Sequence, residues 1–396
     1  MRMSTANLYE KSLQNLYTRQ SDLASQQERL TSGKRINRAS DDPTAVAQAE
    51  RAHTRLGRIA SDQRALEVQR NAISLAESTL GDAAGVMQRL RELTVQAGNG
   101  SLNASNRAVI TQEMRGLREQ LLALANTRDA NANPLFGGLG SAGAPFVDTG
   151  AGVVFNGIAG QAAAGEFSVP GVMDGQAVWM DVASGNGSFT SALGGTNTGS
   201  LWTDTGQVTN PSALTGNQYT ITFNVTGSTT TYNVVNTTTA TPVATAVPYV
   251  DGQAIQFDGL SLVPHGAPAN GDTVQVSPSA TTDVFSVIDQ AVAGIGQASA
   301  PLRNQASTLA LAQLDSALAR LQAARSQAGQ WMGRADTIQT AQEGRTVQLE
   351  ADRSRAEDLD MVQGISDFTK FQTGYQAALQ SYAQVQQLSL FNFIKG

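Results

Sequence analysis

Near the N-terminus Tyr9, Leu13, Leu16, Leu23 and Leu30 recur in steps of four and three, with Gln20 and Gln27 filling the positions between. That spacing predicts a helix with a coiled-coil-like seam broken by polar residues. The other end carries the matching pattern: Met361, Ile365, Phe368, Gln372, Tyr375, Leu379, Tyr382 and Gln386. A helix of about 30 residues is ~45 Å long, and one apolar stripe does not hold it together alone in water. The two ends are therefore expected to pair with each other, with neighbouring copies, or with both.

Further helical stripes lie inside these ends. Ile110, Met114, Leu117, Leu121 and Leu124 form one, and Leu311, Leu314, Leu318 and Leu321 another, both repeating at three and four residues. Asp42 followed by Pro43 reads as an N-cap and first helical position, so the stretch from Gly33 to Asp42 is expected to separate two helices. From about residue 135 to residue 280 the period changes to two. Tyr219, Ile221, Phe223 and Val225 alternate with Thr220, Thr222 and Asn224, and Gly227-Ser228 turns the chain into Tyr232 and Val234. Ile255 with Phe257 and Val274 with Val276 add further alternating pairs, bounded by Asp251-Gly252 and Asn270-Gly271.

The fold class expected from these patterns is α+β and multidomain, with long antiparallel, coiled-coil-like helical arms from both termini and an inserted β-rich domain. Residues 1–42 and 355–396 would form a terminal helical assembly domain. Residues 43–134 and 282–354 would form a helical body, and residues 135–281 an outer β-rich domain.

Charge follows the same division. Every Lys and Arg lies in residues 1–128 or 303–396, whereas ten acids between Asp148 and Asp289 face no base. In the arms the charges are nearly balanced and interspersed, as on solvated helix faces, so nucleic acid is not an expected partner. There is no cysteine, which removes disulfide and thiolate chemistry. The opening residues Met1 to Asn7 lack the apolar core of a cleavable signal peptide, and no run approaches ~18 apolar residues, so membrane insertion is not expected.

Candidate chemistry is sparse. The two histidines, His53 and His265, are far apart in sequence and read as ordinary surface residues rather than metal ligands or general bases. Asp41-Asp42 reads as a helix start, and the Glu357-Asp358 and Asp360 cluster is the other close set of acids. Gly137-Gly138 with Gly140 has the wrong spacing for a phosphate loop and reads as a domain connection. Phe368, Phe371, Tyr375 and Tyr382 recur at helical spacing and read as interface packing. Catalytic, cofactor and metal sites are therefore not expected. A glycan-binding surface through Trp179 or Trp202 in the middle stretch is the rival from another functional class.

The run Leu30-Thr31-Ser32-Gly33-Lys34-Arg35-Ile36-Asn37-Arg38-Ala39-Ser40-Asp41-Asp42-Pro43 resembles the N-terminal signature of the bacterial flagellin superfamily. The opening Arg2-Met3-Ser4-Thr5 with Tyr9, and the ending Leu388-Ser389-Leu390-Phe391-Asn392-Phe393-Ile394, resemble the hook–filament junction branch of that superfamily rather than flagellin itself. Leu124 to Thr127, Leu135 to Gly138 and Pro145-Phe146 resemble that branch's exit into its β domain, and Gly266, Pro268, Gly271-Asp272 and Asp283 to Phe285 its return. The signature residues are Ser32, Gly33, Arg35, Ile36, Asp41, Asp42 and Pro43 at one end and Leu388, Leu390, Phe391 and Ile394 at the other.

The resemblance implies a structural adaptor of the bacterial flagellum, placed outside the cell and exported through the flagellar type III route without a cleavable signal peptide. It implies hook-associated protein 1 on the hook side, flagellin on the filament side, further copies of itself in a ring, and an export chaperone on the C-terminal helix from about residue 361 to 394. Tyr9, Leu13, Leu16, Leu23, Leu30, Ile365, Phe368, Tyr375, Leu379 and Tyr382 would be the subunit-interface residues that order on assembly. A filament-forming flagellin is the nearest alternative within the superfamily.

Overall fold

A computed structural model describes residues 5–141 and 143–394, with side chains described for residues 10–141, 143–384 and 386. The chain forms two compact units, Met1–Arg64 with Gln339–Gly396 and Ala65–Ile338, and two long helices contribute to both. Among the described residues, six α-helices run α1 (Thr5–Ser32), α2 (Pro43–Ala97), α3 (Ala104–Ala125), α4 (Val284–Ile295), α5 (Ala300–Glu357) and α6 (Met361–Ile394). All the described strands fall between α3 and α4. The expected break at 33–42 is present, with Asp42 Oδ1 accepting from the Ala45 amide at 3.0 Å and the Thr44 hydroxyl at 2.7 Å to cap α2. Asn103 caps α3 and Asp283 caps α4 in the same way.

In the larger unit, α2 and α5 run antiparallel. Glu77 pairs with Arg325 at 2.6 Å, Arg70 with Asp336 at 3.1 Å and Arg91 with Asp315 at 2.7 Å, so α5 descends as α2 rises. Behind these surface pairs, Leu66, Ile73, Leu80, Met87, Leu90 and Leu93 of α2 meet Ala310, Leu314, Ala317, Leu321, Ala324 and Ile338 of α5. Ile110, Met114 and Leu121 of α3 close one side of this core. Helix α4 is apolar nearly all round, and Val284, Phe285, Val287, Ile288, Ala291 and Ile295 are all buried within it.

The first third of the middle stretch joins this same core. Strands β1 (Phe146–Thr149) and β2 (Gly152–Phe155) form a hairpin, and the chain then crosses the helices with little regular structure. Along that crossing the Val169 amide donates to Gln69 Oε1 at 3.1 Å and Arg334 donates to the Gly165 carbonyl at 2.8 Å. Leu135, Phe136, Phe146, Val169, Met173, Val178 and Trp179 are buried in the helical core. The change of core therefore falls near residue 183 and not at the expected 135. Isolated apolar residues set among Gly, Ala and Pro carry no period, yet each finds a place on the helices.

Beyond that point a second core begins. The short strands β3 (Val182–Ala183) and β14 (Thr281–Thr282) pair as the stem of a β-module. Its main sheet has the order β4-β13-β7-β8-β9, comprising Phe189–Leu193, Thr273–Pro278, Tyr219–Thr226, Thr229–Asn236 and Thr241–Pro248, antiparallel throughout. Two short sheets accompany it. One joins β10 (Ile255–Phe257), β11 (Leu260–Leu262) and β6 (Gln207–Val208), and the other joins β12 (Pro264–His265) and β5 (Trp202–Thr203). Tyr219, Ile221, Phe223, Val274 and Val276 of the main sheet share one core with Ile255, Phe257, Leu260 and Leu262. The expected inward alternation along β7 and its turn at Gly227-Ser228 are both present. At the outer edge, Pro242 and Pro248 bracket β9, and Ala246 takes a left-handed φ of 54° while its amide donates to Asn233 Oδ1. These features blunt the edge against further strand pairing.

Candidate functional site

In the smaller unit α1 and α6 pack antiparallel as a helix pair. Gln26 donates its side-chain amide to the Gly364 carbonyl at 3.0 Å, and it is the residue of described α1 that is fully buried, at 6% exposure. A Cβ on Gly364 would lie 2.8 Å from Leu359 and 3.2 Å from Leu30, so glycine sets how closely α6 approaches α1 here. Leu13, Leu16, Leu23 and Leu30 are half-buried on α1. On α6 the inward row is Gly364, Phe368, Phe371, Tyr375, Ala378 and Tyr382, again at steps of four and three.

The structure thus brings together, within one chain, seven of the ten residues read as interface: Leu13, Leu16, Leu23, Leu30, Phe368, Tyr375 and Tyr382. Ile365 and Leu379 sit one position off this row and face away from it, exposed at 55% and 41%. With Tyr17, Met361 and Val362, the last exposed at 82%, they leave apolar surface on the outside of the pair. The Tyr9 side chain lies outside the described residues, as do those of Leu388, Leu390, Phe391 and Ile394.

The signature loop between α1 and α2 clasps the turn between α5 and α6. Gly33 ends α1 with φ 69°, the left-handed conformation that glycine adopts without strain, and its carbonyl accepts from the Leu359 amide at 2.9 Å. The Arg35 amide donates to the Glu357 carbonyl at 2.7 Å, and its guanidinium donates to the Ala356 carbonyl at 2.8 Å. Lys34 Nζ pairs with Glu357 at 3.3 Å, and Arg35 pairs with Asp42 at 3.4 Å. Asp41 Oδ2 accepts the amides of Asn37 and Arg38, Ser32 donates to Asn37 Oδ1, and Ile36 is buried beneath the loop. Asp360 caps α6 by accepting the amides of Val362 and Gln363. The Thr44 hydroxyl, then the Ala45 amide and the Arg35 guanidinium, hold the Asp42 carboxyl below the ordinary carboxylate value. Asp41, Asp42, Glu357 and Asp360 of the two tight acid clusters noted in the sequence therefore serve as amide acceptors, helix caps and ion-pair partners of this clasp.

The rival sites fall elsewhere. His53 lines a cleft of about 440 Å³ beside the clasp with Lys34, Arg38, Glu50, Arg353 and Glu357, where charges of both signs alternate. Trp179 is fully buried among Phe136, Phe146 and Phe285, so neither ring face can reach a sugar. Trp202 stacks on His265 with centroids 4.5 Å apart. Gly138 bridges to Ile158, whose carbonyl would lie 2.1 Å from any added Cβ, which makes this glycine a packing residue of the connection. Among the described residues no group of three or more His, Asp or Glu side chains is arranged to hold a metal, and no helix is long and apolar enough to cross a membrane.

Sequence and structure comparisons place this geometry. The bacterial flagellin N-terminal helical region matches residues 3–140, and the bacterial flagellin C-terminal helical region matches residues 311–394. Flagellar hook-associated protein 3 of Salmonella typhimurium is 33% identical over 154 residues, which cover 37% of this chain and 46% of that protein. A flagellin of Clostridium tyrobutyricum is 32% identical over 129 residues, covering 32% of this chain and 33% of that one. The chain thus spans less than half the length of these named relatives. Solved structures match further. Flagellar hook-associated protein 3 of Legionella pneumophila superposes with a TM-score of 0.72 at 29% identity, over 77% of this chain and 98% of the Legionella chain. None of these names is that of an enzyme. With both helical regions of the family at its two ends and a β-rich module between them, the chain belongs to the bacterial flagellin superfamily.

Proposed function

We propose that this protein is a non-enzymatic junction subunit of the bacterial flagellum, joining the hook to the flagellin filament outside the cell. The observation that supports this most directly is the α1–α6 pair. It closes only part of its apolar surface within one chain and leaves Tyr17, Met361, Val362, Ile365 and Leu379 open. Burying that surface against further copies and against flagellar partners offsets the entropy of ordering two long helices. The Legionella neighbour is a hook-associated protein 3 that aligns over nearly its whole length, which favours the junction branch over flagellin. On this reading hook-associated protein 1 lies on one side, flagellin on the other, further copies complete a ring, and a chaperone covers α6 before type III export.

The test is motility and electron microscopy of a deletion strain, with an assay of flagellin in the medium. Bare hooks with flagellin released to the medium are expected. Normal filaments would overturn the junction role. Purified protein seeding filaments of unlimited length would instead assign it as a flagellin.

A further inference from the structure

Among the described residues, hydrogen bonds tie the β-module over residues 184–280 to the helical body of its own unit at two places. One is the stem, where Val182 pairs with Thr282 and Ala183 with Thr281. Ser184 extends it by donating its amide to the Ala280 carbonyl at 2.9 Å and accepting the Ser279 hydroxyl at 2.7 Å. A two-stranded stem this short resists pulling but leaves twist and bend about its axis open.

At the second place four hydrogen bonds converge on one side chain. Gln305, on the second turn of α5 and 7% exposed, accepts the Thr203 amide at 2.7 Å and the Thr203 hydroxyl at 3.1 Å through Oε1. Its Nε2 donates to Ser191 Oγ at 3.1 Å and to the Ser191 carbonyl at 3.4 Å. The one side-chain amide thus donates toward Ser191 and accepts from Thr203. The partners Ser191 on β4 and Thr203 on β5 are buried, and their hydroxyls lie 3.0 Å apart. Apolar contacts tolerate sliding, whereas several directional hydrogen bonds at a buried site do not.

We propose that Gln305 is a latch that fixes the pose of the β-module on α5, converting the stem from a hinge into one leg of a two-point mount. The module's core is separate from the helical core, so releasing the latch frees the module without unfolding it. This inference does not depend on the junction role.

The chain has no cysteine, so Gln112→Cys on α3 and Ser228→Cys at the β7–β8 turn give two unique spin-label positions in the full-length protein. The distance distribution between them is measured by pulsed electron resonance in the parent, in Gln305→Ala and in Thr203→Val. The expected result is a distribution at least about twice as wide in Gln305→Ala. A smaller widening is expected in Thr203→Val, which keeps the backbone bond, and amide protection of β7 and β8 should be unchanged in both. Parental width in both variants would overturn the latch. Loss of β7–β8 protection in either would overturn it too, because Gln305 would then serve the module's folding and not its pose.

Discussion

Trp179 shows how much one side chain settles in the larger unit. Its ring lies 5.6 Å from Phe136 edge-on and 6.3 Å from Phe285 in a stack, and it is fully buried, yet its Nε1 has no hydrogen-bond partner. Volume and polarity therefore pull in opposite directions. Trp179→Ala should cost about 3–5 kcal/mol through the cavity it leaves. Trp179→Phe should cost clearly less, since it also removes an unpaired donor. Urea midpoints of the two variants decide this, and equal losses would mean the cage does not respond to ring volume. A second residue-scale expectation concerns Arg118, which reaches Asp148 at 2.5 Å and Asp289 at 2.7 Å and ties α3 to the β1 strand and α4. The Arg118 hydrogen bond, followed by its charge, holds the Asp148 carboxyl below the ordinary value. A lowered carboxylate pKa gives stability that is present above the unfolded value of about 4 and is lost as pH falls through the folded value. Asp148→Asn should therefore be less stable than the parent at pH 7, with the gap closing below about pH 4. The effect will be modest, because Asp148 is partly exposed. A gap that stays constant through the acid range would exclude this ionic contribution.

At the scale of elements, the terminal helices and the break at 33–42 were legible because periodic leucines and an Asp-Pro start are local signals. The face of α6 was legible only in part. The rows 361, 365, 368, 372, 375, 379, 382 and 364, 368, 371, 375, 378, 382 share three positions, and counting large apolar residues selects the first. The pair instead turns inward Gly364 and Ala378, because a close approach to α1 favours small residues where Ile365 and Leu379 would hold the helices apart. Gln305 and the clasp bonds of Arg35 were illegible for another reason, since each joins partners more than a hundred positions away in sequence. The two faces of α6 can be separated experimentally. Phe368→Asp places a charge against α1 and should lower helix content in the dilute monomer, measured by circular dichroism, and so also prevent assembly. Leu379→Asp should leave monomer helicity unchanged while still blocking incorporation into flagella. Equal loss of helicity in both would mean that Leu379 faces α1 after all.

Across the whole molecule, the acidic middle that stands out in the composition proves to be largely architectural. Asp272 accepts the amides of Thr198, Gly199 and Ala269, Asp204 those of Gly206 and Val263, and Asp174 those of Gln176 and Ala177, while Asp283 caps α4. These carboxylates satisfy loop and helix-start amides, so a base-free stretch does not require a cationic partner to explain it. Burial, in contrast, is distributed unevenly, and that has a dynamic consequence. Ile73, Leu80, Leu90 and Leu93 on α2 are essentially inaccessible, whereas Leu13, Leu16, Leu23 and Leu30 on α1 are only half-buried, and the residue most enclosed there is the polar Gln26. Opening free energy follows such differences in packed apolar contact. In the dilute monomer, amides of α1 over 11–32 and of α6 over 361–384 should exchange at least about a hundredfold faster than those of α2 over 73–93. Assembly should close this gap by covering the open face of the pair. Protection of α1 and α6 matching that of α2 in a verified monomer would show that the helix pair is complete without partners, and would remove the physical reason for the chain's ends to seek other subunits.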